Sequence, residues 1–404
     1  MPSGVAVRPE LEVADIARRF FAALCDGYRL SHQQHTVLRD IMLCRTASLG
    51  GHLDECPCCG HQRPSYNSCL NRHCPKCQWP ASQRWLEQRQ KRLLPTHHFH
   101  VVFTVPAELR ELISGNRELL YGVLFQSATS ALLQLARDEK RLGAQPGITA
   151  VLHSWTRDLL QHPHLHFLVS GGGLSSDGRW IGTRPGFLFP CKVLGKLFSG
   201  KFLHALKRLY EQGQLRLTAR CEKLRHRDTF QKLLHKLYRK KWRPYTKKPF
   251  ASVDSVCQYL ARYTHRTAIS NRRLVSFDEQ QVVFRTRARK TTTLPPVTFL
   301  RRFLSHVLPK GFVRIRHYGL YAAGNVNTRL QQARVLLEQD RPERCAVENR
   351  DASRDDNIDE PDFVRRLLAA FGIDPMKCPR CGSGMIRVAS VPRNRYLSPN
   401  RSPP

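Results

Sequence analysis

Two short cysteine pairs place the tightest limit on what this chain can fold into. Cys56 and Cys59 stand two residues apart, and Cys74 and Cys77 repeat the spacing after fourteen intervening residues. A two-residue gap lets both thiolates of a pair reach one side of a tight turn, and two such turns complete a tetrahedral four-sulfur site for zinc. Zinc held this way contributes on the order of 10 kcal/mol to folding. The spacing therefore predicts a small zinc-dependent domain with Cys56, Cys59, Cys74 and Cys77 as ligands of one structural Zn2+. His52, Cys58, Cys69 and His73 are left over, either as a second zinc set or as ordinary polar and buried positions. A closed four-thiolate site is structural, so the chemistry is expected elsewhere in the chain.

Charge narrows the class of partner. The 404 residues carry 66 Lys and Arg against 32 Asp and Glu, a formal charge of +34. An excess of this size calls for a polyanion, with nucleic acid foremost. A basic membrane-surface protein would need an amphipathic or lipidated anchor, and none is evident. No signal peptide opens the chain and no run reaches the roughly 18 apolar residues of a membrane span. A soluble intracellular protein is expected, whose fourteen cysteines are better read as metal ligands than as disulfides.

Apolar periodicity places the remaining elements. Leu11 to Cys44 reads as two helices broken near Asp26-Gly27, with Cys25 and Cys44 as buried core thiols. His98 to Pro106 reads as a strand bearing a His98-x-His100 pair of core or supporting histidines. Leu109 to Leu142 reads as helices and Ile148 to Leu152 as a strand. Asp177-Gly178 suits a hairpin turn leading to Trp180-Ile181. Phe198 to Phe250 is largely helical and intensely basic. There Trp242 and Tyr245, interleaved with cations, suit a groove in which amines follow phosphates and rings stack on bases. Beyond Leu337 the composition shifts to a polar, charged linker. Phe363 to Phe371 then reads as a short helix, Cys378-x-x-Cys381 as half a zinc ribbon, and Pro392 to Pro404 as a disordered tail.

Two stretches carry reactive chemistry. In His162-Pro163-His164-Leu165-His166, read as a strand, alternation turns His164 and His166 to one face with Leu165 opposite, so that two imidazoles can hold one divalent cation. Gly171-Gly172-Gly173 follows, either as a turn or as a place where a phosphate backbone can approach closely. Further on, Tyr259 and Tyr263 lie four apart and share a face if helical. Such a pair usually serves packing, but beside a metal-binding strand a tyrosine hydroxyl is a nucleophile for a polarised phosphate.

Together these stretches resemble a known family. Tyr66-Asn67-Ser68-Cys69 through Cys77, His164-Leu165-His166 with its glycines, Tyr259-x-x-x-Tyr263-Thr264-His265-Arg266, and Leu308-Pro309-Lys310-Gly311-Phe312 through Gly319 occur in the order seen in rolling-circle bacterial transposases of the insertion-sequence-ninety-one type. These are two-tyrosine members of the HUH endonuclease superfamily. The resemblance covers roughly His52 to Gly319. It implies an α+β fold, with an antiparallel-sheet nuclease domain of ferredoxin or RRM-like type over 96–330. A helical zinc-binding domain over 1–95 would precede it; the acidic linker, half zinc ribbon and disordered tail over 331–404, read from composition and spacing, lie beyond the resemblance. It also implies Mg2+ or Mn2+ on His164 and His166, a third ligand from His265, His100 or Gln258, and attack by Tyr259 or Tyr263 on single-stranded DNA. The partners expected are element ends and target DNA, with host replication proteins possible and no membrane, in the bacterial cytoplasm at the nucleoid. A replication initiator or relaxase would share this chemistry. Histidine-triad hydrolases want an apolar residue at Pro163, and metallo-β-lactamase-type hydrolases want Asp-His where Leu168-Val169 stands. A non-catalytic zinc-dependent DNA-binding protein is the rival outside enzymology.

Overall fold

The computed structural model describes residues 11–184, 186–250, 256, 267–287, 290–339 and 374–394. The chain divides into two compact units. One falls within Met1–Trp79, Ile269–Arg301 and Glu343–Pro404, the other within Pro80–Ala268 and Arg302–Pro342. Both mix helices with antiparallel sheets, an α+β architecture as expected.

The first unit opens with helices α1 (Val13–Gly27) and α2 (His32–Leu43). Each starts with a capping box, at Glu12 with Asp15 and at Ser31 with Gln34, which satisfies amide groups that the first turn leaves without partners. Val13, Ile16, Ala17, Phe20 and Leu24 form the buried stripe of α1. Strands β1 (Gly51–Glu55) and β2 (Gln62–Tyr66) make a hairpin. Its free edge is taken by β12 (Ile386–Val391), pairing antiparallel from Gly51↔Val391 to Glu55↔Ile386. A second small sheet, β8 (Leu274–Phe277), β9 (Val282–Arg285) and β10 (Thr291–Leu294), lies in the same unit. Helices α3 (Gln78–Gln90) and α8 (Pro296–Leu304) follow the zinc-domain hairpin and this sheet in sequence.

The second unit is built on β3 (His98–Thr104), β4 (Gln145–Trp155), β5 (Gln161–Leu174), β7 (Tyr245–Phe250) and β11 (Ile315–Gly319), in the order β11-β4-β5-β3-β7, with β6 (Trp180–Gly182) paired to β5. Alternation divides the sheet into two faces. Phe99, Val101 and Phe103 of β3, Ile148, Ala150 and Leu152 of β4, and Leu165, Phe167 and Val169 of β5 point into one large apolar core. Helices α4 (Arg110–Gly115), α5 (Arg117–Arg137), α6 (Cys191–Glu211) and α7 (Arg227–Arg239) supply most of the rest of that core, including Leu120, Leu124, Phe198, Phe202 and Phe230. Helix α5 is long and apolar enough to cross a membrane by composition, an exception to the expectation from sequence, but most of it is buried in this core. A last helix, α9 (Arg329–Gln339), buries Leu330 and Ala333 against the opposite face together with Leu168, Leu174 and Tyr321.

Three expectations change here. The basic stretch after Phe198 ends in the edge strand β7. Trp242 is buried, packed edge-on against Phe198 with centroids 5.2 Å apart, and its indole nitrogen donates to the Leu237 carbonyl. It is a core residue and cannot stack on bases, whereas Tyr245 is exposed. The three glycines also form no turn. They continue β5, and a Cβ at Gly171 would fall 2.3 Å from the His97 ring and one at Gly173 2.6 Å from the Gln145 backbone, so their small size accommodates the protein's own chain. The turn comes later, at Asp177-Gly178, where Gly178 takes φ 84°.

Candidate metal centres and nuclease face

The face of the large sheet turned away from the apolar core carries imidazoles. Register sets His164 opposite His153 on β4 and opposite Thr104 on β3, with His166 two residues along, opposite Val151 and Val102. His153, His164 and His166 converge, with one ring nitrogen from each within 4.8 Å of the others. Their ring centroids are 5.5, 4.5 and 4.8 Å apart for the pairs His153–His164, His153–His166 and His164–His166.

Neighbouring groups orient the rings. His164 Nδ1 lies 2.6 Å from the His162 carbonyl, which can only accept, so Nδ1 carries the proton and Nε2 is left to bind a metal. His100 lies parallel to His166, and its Nε2 is 2.9 Å from His166 Nδ1, so this second support runs from ring to ring. His162 is not a member of the trio, although its ring lies 5.1 Å from that of His164, and it takes Arg110 as partner through Nδ1. His153 is buried and stacks on Trp155.

Among the described residues, the third histidine of the cluster comes from β4. Of the residues expected in that role, His100 supports His166 from outside the cluster, and Gln258 and His265 lie outside the described residues, as do Tyr259 and Tyr263. The signal for His153 was available, because Thr149, Val151 and His153 alternate onto one face once β4 is carried to Trp155 and not stopped at Leu152. Val256, the last described residue before the tyrosine pair, is fully buried in the same cluster as Leu168, two residues after His166.

Two other histidines of this unit are buried and neutral. His98 donates from Nδ1 to the Thr96 carbonyl and accepts the Tyr321 hydroxyl at Nε2, 2.7 Å away. His306 donates from Nε2 to the Leu159 carbonyl and accepts from Ser154 at Nδ1. Burial is the chief cause that lowers each pKa from the usual 6.5 to about 4. Because the unfolded chain takes up these protons first, the stability they confer is complete above pH 6.5 and is lost as pH falls toward 4. At ~1.4 kcal/mol per pKa unit, the pair should make the thermal midpoint drop steeply across that window. A midpoint flat from pH 6.5 to 4 in scanning fluorimetry would contradict this.

The cysteines do not assemble as one site. Cys74 and Cys77 join Cys44 and Cys69 in one cluster, and Cys56 and Cys59 join Cys378 and Cys381 in another. The single set expected from Cys56, Cys59, Cys74 and Cys77 is therefore split between two clusters. In the first, Cys44 caps the C-terminus of α2 and its sulfur receives the Cys69 amide, while Cys69 and Cys77 sulfurs are 3.7 Å apart. A tetrahedron with zinc–sulfur bonds of about 2.3 Å has edges of about 3.8 Å, so these donors fit zinc. Lys76, inside this knuckle, forms a buried 2.7 Å ion pair with Glu12 at the start of α1. Cys44 was expected to be a core thiol. Its place in this cluster depends on the loop from Asn67, whose carbonyl accepts from the Arg45 amide. Cys58 is exposed, and His52 and His73 belong to neither cluster.

The chain thus carries a histidine trio on an antiparallel sheet, two four-cysteine clusters whose donors suit zinc, and a charge of +34 that suits a polyanionic partner. Known sequences specify the family. Residues 147–329 match the family described as "Putative transposase", and residues 16–105 match the "Transposase zinc-binding domain". The "Putative transposase y4qJ" of Sinorhizobium fredii is 41% identical over 383 residues, covering 93% of this chain and 94% of its own. The "Transposase for insertion sequence element IS801" of Pseudomonas savastanoi pv. phaseolicola is 27% identical over 387 residues, covering 93% and 88%. No solved structure matches the chain. The chain belongs to the IS91 family of transposases.

Proposed function

We propose that this transposase cuts and rejoins single-stranded DNA at the ends of its element through a 5′-phosphotyrosine intermediate, in the rolling-circle manner. The observation that carries the reading is the convergence of His153, His164 and His166 on one sheet face. Three neutral imidazole donors suit a borderline divalent cation better than Mg2+, which prefers oxygen ligands, so Mn2+ is the better of the two expected ions. Bound there, a cation would act as a Lewis acid on the scissile phosphate.

The chain's own residues do the rest. His162 and His100 hold the ligand rings in orientation, through a backbone carbonyl and a ring nitrogen respectively. Tyr259 or Tyr263 supplies the nucleophile. Its phenolic oxygen forms a bond to phosphorus as the phosphorus–O3′ bond breaks, and the phenolic proton is lost while the departing 3′-oxygen gains one. One phosphodiester replaces another, so the bond energy is kept for rejoining. A second tyrosine lets one protein hold two ends or take successive steps. The freed 3′-hydroxyl can prime replication by host proteins, in the bacterial cytoplasm at the nucleoid.

Incubating the purified protein with a single-stranded element end and Mn2+ should yield a protein–DNA adduct that survives denaturation and disappears on nuclease treatment. Absence of any adduct would defeat the proposal. The charge of +34 adds a second expectation. Affinity for a single strand should fall with salt on a log–log plot, with a slope of roughly −0.7 for each phosphate neutralised. Salt-independent binding would remove the electrostatic argument.

A further inference from the structure

We propose that Cys56, Cys59, Cys378 and Cys381 form a second structural zinc site, a zinc ribbon whose two halves come from opposite ends of the chain. The matched zinc-binding segment stops at residue 105, so half of this donor set lies well beyond it.

Two knuckles of the same construction support the assignment. Each reads Cys-Pro-x-Cys-Gly, at Cys56-Pro57-Cys58-Cys59-Gly60 and at Cys378-Pro379-Arg380-Cys381-Gly382. In each, the glycine amide donates to the first cysteine's carbonyl at 2.9 Å, Gly60 to Cys56 and Gly382 to Cys378. In each, the first cysteine's amide donates to the residue five further on, Cys56 to His61 and Cys378 to Ser383. Both glycines have positive φ, 67° and 77°, a conformation that side chains resist. Both turns are closed by an antiparallel pair at the same offset, Glu55↔Gln62 and Lys377↔Gly384. A backbone repeated this closely, at two places so far apart in sequence, is a shared device for presenting two thiolates.

The sulfurs meet as a tetrahedral ion requires. Cys56 and Cys381 are 3.4 Å apart, and Cys59 and Cys378 are 3.6 Å apart, across the two knuckles. These separations approach the edge of about 3.8 Å for a zinc–thiolate tetrahedron and far exceed the ~2.05 Å of a disulfide. No histidine or carboxylate belongs to the cluster, and a four-sulfur set selects zinc over the harder divalent cations. Strand β12 leaves the second knuckle and pairs with β1, which leads into the first, so metal and sheet join the same two segments.

The site predicts two zinc ions per full-length chain. Elemental analysis of the purified protein should give about two, and Co2+ replacement should give two equivalents with the intense visible bands of tetrahedral thiolate coordination. Cys378→Ser with Cys381→Ser should lower zinc from two to one. The same change should make Cys56 and Cys59 react with maleimide as fast as Cys58, as read by peptide mass spectrometry. Cys58→Ser should keep two ions. One zinc in the wild type overturns the proposal, as does a double variant that keeps two, or a wild type whose Cys56 and Cys59 are already alkylated quickly. If the double variant fails to fold, the cobalt stoichiometry of the wild type still decides.

Discussion

Replacing Tyr259 and Tyr263 together by phenylalanine should abolish the covalent protein–DNA adduct while leaving single-strand affinity within about twofold of the wild type. Phenylalanine keeps the ring and removes only the hydroxyl, so packing and charge are preserved and the nucleophile is lost. Binding rests on the excess of 66 Lys and Arg over 32 Asp and Glu, which neither substitution touches. Each single variant should retain adduct formation on at least one strand end, and mass spectrometry of the adduct peptide should locate DNA on the remaining tyrosine. An adduct that persists in the double variant would rule Tyr259 and Tyr263 out as the nucleophiles.

His153→Ala should lower single-strand cleavage on the order of a thousandfold. Lewis-acid stabilisation of a phosphoryl transition state is worth several kcal/mol, and each ~1.4 kcal/mol is a factor of ten in rate. With ring nitrogens of His153, His164 and His166 converging within 4.8 Å, removing one leaves two donors, which weakens the cation site and lets its position wander. DNA affinity and zinc content should not change, because neither cysteine cluster includes His153. His162→Ala is the matched control. It deletes an imidazole on the same strand but keeps the backbone carbonyl that orients His164, so cleavage should stay within several-fold of the wild type. Equal losses in the two variants would mean that His153 acts through the sheet and not through the metal.

The reasons for what could be read in advance are local. His164 and His166 are placed on one face by the two-residue period of a strand, which needs no knowledge of neighbours. The same period, carried one residue beyond Leu152 along β4, places His153 on the histidine face, although only the pairing of β4 with β5 brings it opposite His164. Trp242 illustrates the opposite error. Its setting among lysines and arginines resembles a nucleic-acid groove, yet α6 supplies Phe198 and Phe202 to bury its ring. Burial depends on what packs from elsewhere in the chain, and local charge carries no record of it.

The cysteines mark the same boundary. By itself the sequence determined that Cys-x-x-Cys segments would turn tightly and present paired thiolates, and that a strand would display His164 beside His166, because both follow from bond geometry over a few residues. Only the tertiary structure decided which pairs share a centre: Cys74 and Cys77 with Cys44 and Cys69, Cys56 and Cys59 with Cys378 and Cys381. A tetrahedral centre is indifferent to the length of chain between its ligands, so spacing within a knuckle is legible while the choice of partner knuckle is made by the strand pairing of β1 with β12.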